Sequence, residues 1–242
     1  LVVGFPSLEE NEKLITSMIK NGVTRIELQI PFSDPLADGP LITWACHQSL
    51  ANKTKVSEVF LLAGKFKRIH PEIQFYIVSY YNLIFNFGVS KFIQKTKEAG
   101  ISGIICPDLP FDSLDGKFFN KECQKSKVAN IFVISENIER KRLSEILKVA
   151  EDFIYITQVL GTTGVRKMLN PKMPKFLKLI DRQSKIKKAI GFGISDAKQV
   201  EQIHEIADIA VIGSALIKMY QENRNISEIG SFINKLQITK LK

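Results

Sequence analysis

The sequence contains few of the residues that usually build metal sites or disulfide frameworks. Among 242 residues there are only three cysteines and three histidines. The cysteines are odd in number, show no metal-ligand spacing and suit a reducing cytoplasm. The histidines are scattered along the chain, so we expect no metal site built from histidine and cysteine. These six residues are Cys46, Cys106, Cys123, His47, His70 and His204.

Long hydrophobic runs, a signal peptide and low-complexity linkers are also missing. No apolar run approaches the roughly 18 residues that a membrane-spanning helix needs. We therefore expect a cytoplasmic protein with one domain over residues 1–242. The sequence starts at Leu1, inside an apolar stretch and without a methionine, so we also expect that a natural N-terminal segment is absent from it.

Negative charge is in the minority, because 34 lysines and arginines outnumber 25 acidic residues and give a net charge of +9. Such a balance can indicate nucleic acid or an acidic membrane as the partner. No zinc-finger, RRM or KH pattern accompanies it, and lysines recur on helix-like stretches. We therefore favour solvated helix faces, which would also attract a small substrate that carries phosphate.

Short apolar runs alternate with longer amphipathic stretches. Eight such β–α units follow one another, and several strands are almost continuously apolar, as in a parallel sheet covered on both faces. Open doubly wound sheets share this rhythm, but eight units in a chain of this length favour a closed (β/α)8 TIM barrel. The predicted strands are Leu1–Val3, Arg25–Gln29, Gln74–Ser79, Gly103–Cys106, Asn130–Ile134, Phe153–Thr157, Lys188–Ile190 and Ile209–Ile212.

The second predicted strand carries an acid among apolar residues. Side chains alternate along a strand, so Glu27 shares a face with Arg25 and Gln29 and points into the barrel. A carboxyl group in that place is desolvated, which raises its pKa towards neutrality and suits acid–base chemistry. The alternative is that Arg25 pairs with a structural glutamate.

The long connection from Pro31 to about Val56 follows this strand and has no predicted helix. Long ordered loops are often functional, and loops after barrel strands lie on the catalytic face. Three prolines and a glycine shape its first ten residues. Asp34 and Asp38 lie among them as candidate functional carboxylates, but either could be a turn former that bonds its own backbone.

Glycine-rich segments follow the last three predicted strands. They are Gly161–Gly164, Gly191–Ser195 and Val211–Ala215. Glycine lets backbone N–H groups approach an anion, and a helix N-terminus adds the positive end of its dipole. Barrels often bind phosphate after strands 7 and 8, so we predict a phosphate site here.

These segments together resemble one known family. Residues 26–40, with the sequence IELQIPFSDPLADGP, are similar to the signature of the tryptophan synthase alpha subunit. Further segments follow in the order and spacing of that family over essentially the whole chain. They are Tyr80–Asn82, Pro107–Pro110, Gly161–Gly164, Gly191–Ser195 and Gly213–Ala215.

The resemblance implies a lyase that cleaves indole-3-glycerol phosphate to indole and glyceraldehyde 3-phosphate by a retro-aldol reaction. Glu27 would be the general acid–base, and Asp38 would accept the indole N–H. The family needs no metal or cofactor in this chain, and its partner is a beta subunit that carries pyridoxal phosphate in an α2β2 complex. The residues that match substrate-binding positions are Tyr80, Tyr155, Thr163, Gly164, Phe192, Gly193, Gly213 and Ser214.

Three features depart from the family pattern. Gln29 stands where most relatives have glycine, on the same face as Glu27, and could narrow the pocket or alter the pKa of Glu27. Thr162 replaces a usual apolar residue of a mobile loop. The helix that precedes the first strand in relatives is absent from this sequence.

Two other functions remain open from the sequence. The first is a regulatory subunit that has lost catalysis and only activates its partner, for which Gln29 is the one favourable feature. The second is a stand-alone sugar-phosphate aldolase or isomerase. A Schiff-base aldolase would need a lysine at the end of a barrel strand, whereas Phe153–Thr157 has none and Lys188 begins its strand.

Overall fold

The computed structural model describes residues 1–157, 173–191, 194, 196–222 and 225–237. Strands and helices alternate along most of these ranges, except that β4 and β5 follow each other directly, and every strand pair is parallel. The predicted (β/α)8 barrel is therefore confirmed. The strands are β1 (Arg25–Gln29), β2 (Gln74–Val78), β3 (Gly103–Ile105), β4 (Ala129–Ile131), β5 (Val133–Ser135), β6 (Phe153–Thr157), β7 (Lys187–Gly191) and β8 (Ile209–Val211).

The barrel wall consists of two four-stranded sheets, β1–β4 and β5–β8, each in chain order. The fifth predicted strand is split between them, because its first half pairs with β3 and its second half with β6. Phe132 lies at the break, and its carbonyl accepts from the N–H of Tyr155 at 2.9 Å. The first predicted strand is reduced to one parallel bridge, between Val2 and Gln29.

The described helices are α1 (Leu8–Lys20), α2 (Pro40–Ala51), α3 (Val56–Ile69), α4 (Tyr81–Phe87), α5 (Val89–Glu98), α6 (Leu114–Ser126), α7 (Arg140–Val149), α8 (Met173–Asp181), α9 (Ala197–His204), α10 (Ser214–Gln221) and α11 (Ile226–Gln237). The sequence predicted no helix at α2, α4 or α10. The α2 helix carries apolar residues around its whole circumference, so no amphipathic stripe marks it. None of the described helices is long and apolar enough to cross a membrane.

Alternation along the strands divides the apolar residues between two cores. Ile26, Leu28 and Ile30 are at most 3% exposed and pack outwards against the helices. A smaller cluster fills the barrel interior, and its buried members are Tyr76, Ile105, Ala129, Ile131, Phe153 and Ala189. This inner cluster supports the cavity that contains Glu27.

Each of the three cysteines is buried in this fold. Desolvation raises the pKa of the Cys46 thiol to about 11 and that of Cys123 to about 12. It also raises the pKa of Cys106 well above its usual value. The thiols therefore stay protonated near neutral pH, and the described residues contain no group of histidine, cysteine and acidic side chains that could hold a metal.

Candidate active site

The side chain of Glu27 lies on the inner face of β1 and lines the central cavity, as the alternation of the strand predicts. The residue is half-buried, and its side chain borders the cavity. Desolvation raises the pKa of Glu27 to about 7, against a smaller lowering by the terminal ammonium of Leu1. At neutral pH the group is thus poised between acid and base.

The alternative role for Glu27, as the partner of Arg25, is wrong in this structure. The guanidinium of Arg25 instead pairs with Asp152, with 3.9 Å between Nη2 and Oδ1. The hydroxyl of Tyr76 donates to the same carboxylate. The carboxyl of Glu27 receives no hydrogen bond from the described residues, so in that part of the chain only the terminal ammonium of Leu1 favours its charged form.

Asp38 lines the same cavity from the loop between β1 and α2. A turn brings it there, since its N–H donates to the carbonyl of Pro35 at 2.9 Å. Its Oδ2 accepts from Gln29 Nε2 at 2.7 Å and from the Tyr80 hydroxyl at 2.8 Å. Burial raises the pKa of Asp38, and these two hydrogen bonds oppose the rise.

The carboxylates of this loop therefore have different environments. Asp38 bonds to side chains of β1 and of the segment after β2, so it does more than form a turn. Asp34 is exposed, and its carboxylate accepts from the neighbouring hydroxyl of Ser33. Because Asp34 does not line the cavity, only Asp38 remains a candidate from this pair.

Tyr80 does not line the described cavity, in contrast to its predicted place beside a substrate. It is only 2% exposed, because its ring stacks on Phe32 with centroids 5.2 Å apart. Its hydroxyl donates to Asp38 and accepts from the N–H of Ala37 at 3.0 Å. Tyr80 thus packs against the Pro31–Pro40 loop and contacts Asp38.

Tyr155 enters the cavity from β6, on the opposite side of the barrel from Glu27 and Asp38. Burial raises the pKa of this phenol well above its usual value, and the charges of Glu27 and Asp38 raise it further. A Cβ atom at Gly191 would overlap the Tyr155 hydroxyl. The glycine at the end of β7 is therefore required by the tyrosine, a reason that the sequence pattern did not reveal.

Gly213 and Ser214 also line the cavity, at the start of α10. Gly213 is the N-cap residue and makes no side-chain cap, so first-turn N–H groups of α10 remain available. A Cβ atom at Gly213 would meet none of the described residues within 4 Å. The predicted substrate residues Thr163, Gly164, Phe192 and Gly193 lie outside the described residues.

Gln29 lies on the lumen face, as the alternation predicts, but its amide is directed to Asp38 and not to Glu27. The expectation that Gln29 acts on the pKa of Glu27 is not supported, because desolvation and the terminal ammonium account for that shift. The contact was missed because the path of the Pro31–Pro40 loop cannot be read from residue alternation.

The cavity has a volume of about 330 Å³ and is lined by residues of the barrel strands and of several surrounding helices. Polar groups that line it come from strands, from the loop after β1 and from the start of α10, and they include Glu27, Asp38, Tyr155, Thr157, Gly213 and Ser214. A parallel barrel with a near-neutral carboxyl group, a second carboxylate and an uncapped helix N-terminus at one cavity is typical of barrel enzymes that use acid–base chemistry.

Comparison with known proteins identifies the family within this class. The model of the tryptophan synthase alpha chain family matches residues 1–241. The tryptophan synthase alpha chain of Methanocaldococcus jannaschii is 38% identical over 92% of this chain and 78% of its own length. That of Desulfotalea psychrophila is 36% identical over 98% of this chain and 92% of its own.

A solved structure gives the same result. The tryptophan synthase alpha subunit of Legionella pneumophila strain Paris superposes with a TM-score of 0.88 at 27% identity, covering 99% of this chain and 90% of its own. The chain therefore belongs to the tryptophan synthase alpha chain family. Membership gives it the alpha-subunit role in tryptophan biosynthesis and, in general terms, that of a lyase.

Proposed function

We propose that this chain cleaves indole-3-glycerol phosphate to indole and glyceraldehyde 3-phosphate. The observation that carries the proposal is the Glu27 carboxyl, whose pKa of about 7 lies at a cavity shared with Asp38. A retro-aldol cleavage needs an acid and then a base at neighbouring atoms of one substrate. A single group with a near-neutral pKa can supply both in turn.

In the first step, protonated Glu27 gives its proton to C3 of the indole ring, and the ring nitrogen becomes an iminium. In the second step, the Glu27 carboxylate removes the proton of the side-chain hydroxyl next to the bond to be broken. The electrons of that O–H bond form the aldehyde, and those of the C–C bond return to the ring and neutralise the iminium. Indole leaves, and Glu27 ends protonated as it began.

Asp38 would accept the indole N–H and stabilise the positive charge that grows on the ring during the first step. This role is electrostatic, so it requires a carboxylate that stays ionised although burial raises its pKa. The hydrogen bonds from Gln29 and Tyr80 favour this ionised form.

The phosphate group would bind at the N-terminus of α10, where Gly213 and Ser214 face the cavity. Backbone N–H groups and the positive end of the helix dipole favour an anion there. By resemblance to the family, Gly193 and Gly164 would lie beside the phosphate, and Tyr155, Thr163 and Phe192 beside the rest of the substrate.

We further propose that the chain uses no cofactor of its own and works in the cytoplasm as one barrel domain. Its partner would be a tryptophan synthase beta subunit that carries pyridoxal phosphate and receives the indole, in an α2β2 complex. The alpha-chain names of the relatives and the match over residues 1–241 support this assembly.

The regulatory alternative has less support from the geometry. Gln29 was its one favourable feature, but the amide contacts Asp38 and leaves the Glu27 carboxyl unblocked. The cavity lining also retains both carboxylates that the lyase reaction requires.

The test is an indole-release assay on the full chain, with and without a beta subunit. We expect Glu27→Gln to lower kcat by about 100-fold or more, because it removes the acid–base group. The matched control is Glu9→Gln, at an exposed position of α1, which should release indole at the unaltered rate. Unchanged turnover in Glu27→Gln would contradict the proposed role, and no release by the unmodified chain in either condition would favour the regulatory function.

A further inference from the structure

Gln29 has a backbone that is held from both sides. Its N–H donates to the carbonyl of Leu1 at 2.7 Å, and its carbonyl accepts from the N–H of Val3 at 3.0 Å. On the other side it is in register with Val78 of β2. The backbone position from which the Gln29 side chain extends is therefore fixed, and the residue is only 7% exposed.

The amide of Gln29 can face Asp38 in one orientation only. A carboxylate accepts hydrogen bonds and cannot donate them, so the amino group and not the carbonyl must approach it. The Nε2 atom lies 2.7 Å from Oδ2 of Asp38 and 3.7 Å from the sulfur of Cys46. The first contact is a charge-assisted hydrogen bond of ordinary length, and the second is weak.

Two donors reach the same oxygen of Asp38. Gln29 and Tyr80 both donate to Oδ2, whereas Oδ1 accepts no hydrogen bond from the part of the chain that the structure describes. Two donors from different elements define both the position and the rotation of a carboxylate. The second oxygen is thereby left for a ligand at the cavity that Asp38 lines.

We propose that Gln29 is a positioning residue that holds the carboxylate of Asp38, together with Tyr80, so that Oδ1 is presented to an N–H group of the ligand. The identity of that N–H as the indole nitrogen rests on the proposed function, whereas the contact with Asp38 does not. Because a hydrogen bond to the ionised form stabilises it, Gln29 also keeps Asp38 charged inside the barrel.

The decisive variant is Gln29→Met, which retains much of the length of the side chain but cannot donate. We expect the pKa of Asp38 to rise by about one unit, because one of its two side-chain donors is lost. The measurement is a titration of the Asp38 carboxyl carbon by 13C NMR on the substrate-free full chain, with the signal assigned by its loss in Asp38→Asn. Indole release should show kcat/KM about tenfold lower, with its acid limb moved to higher pH.

The matched control is Cys46→Ala, which removes the other contact of the amide and should leave the titration of Asp38 unmoved. An unmoved titration in Gln29→Met would overturn the proposal, whatever the activity. If Gln29→Met does not fold, Gln29→Leu removes the same donor and is read in the same way. If the titration of Asp38 moves in Gln29→Met but the unmodified chain releases no indole, the result supports the role of Gln29 and counts against the proposed function instead.

Discussion

The two sheets of the barrel present the cavity with different kinds of groups. In the β1–β4 sheet, β1 and the loop after it carry the two carboxylates. The β1 strand is tightly packed, and its Leu28 is 0% exposed. In the β5–β8 sheet, β8 lies nearest the candidate phosphate-binding residues. This strand is less buried than β1, since each residue of Ile209–Val211 is only half-buried. That sheet contributes a tyrosine, glycines and a helix N-terminus.

The difference is one of preorganisation. The two carboxyl groups proposed for proton transfer and charge stabilisation are held by strand backbone and by hydrogen bonds from buried side chains, so their pKa values are set before a ligand arrives. On the other sheet, glycines create room and backbone N–H groups provide the contacts. Substitutions should therefore act on chemistry in the first sheet and on packing or affinity in the second.

The largest effect is expected for Asp38→Asn in the first sheet. The amide cannot balance the positive charge on the ring, so kcat/KM for indole release should fall by about 100-fold or more. The control is Asp34→Asn, in the same loop but exposed, which should retain normal kinetics. Equal losses in the two variants would mean that the loop as a whole, and not the carboxylate, matters.

In the second sheet, Gly191→Ala should act through packing. The new Cβ would overlap the Tyr155 hydroxyl, and overpacking of this kind costs about 1–3 kcal/mol of unfolding free energy. Urea denaturation would measure the loss, and the double variant with Tyr155→Phe should recover part of it. Gly64→Ala is the control, because its added Cβ would meet only ordinary contacts at 3.8 Å. No recovery in the double variant would count against the clash.

The buried carboxyl of β1 should also limit stability at high pH. The folded chain holds the proton of Glu27 up to a pKa of about 7, whereas the unfolded chain releases it near the ordinary glutamate pKa of 4.5. Between these values the folded state binds more protons, so stability falls as pH rises. Glu27→Gln should remove that fall and be more stable than the parent at pH 8 by about 1–3 kcal/mol. Parallel pH–stability curves for the two proteins would contradict the raised pKa.

The smallest effect is expected for Ser214→Asp at the start of α10. A negative side chain beside the phosphate should raise the KM of the substrate about tenfold, equivalent to about 1.4 kcal/mol, with kcat little altered. Lys218→Asp in the same helix is an exposed control that lies a full turn from the N-terminus. A fall in kcat with constant KM would contradict a phosphate site at the start of α10.

The sequence predicted those parts of the site that depend on local periodicity. Alternation along β1 placed Glu27 in the lumen and made a raised pKa the expected result. The glycine after β7 was noticed, but its partner Tyr155 could not be found, because the two residues meet only when β6 and β7 pair. The α2 helix was missed because its apolar residues do not follow one stripe. The Gln29–Asp38 contact was missed because it depends on the path of the proline-rich loop from Pro31 to Pro40.

Because all three thiols are buried, their chemical labelling would report local opening of the folded protein. A thiol must be exposed and deprotonated before it reacts with a disulfide reagent, and none of the three meets either condition in the folded state. Cys46 receives a backbone hydrogen bond from Phe32 of the candidate active-site loop, whereas Cys123 lies on α6 in the outer core. The relative labelling rates of these two positions would therefore measure, without any added probe, whether the active-site loop opens independently of the outer helical layer.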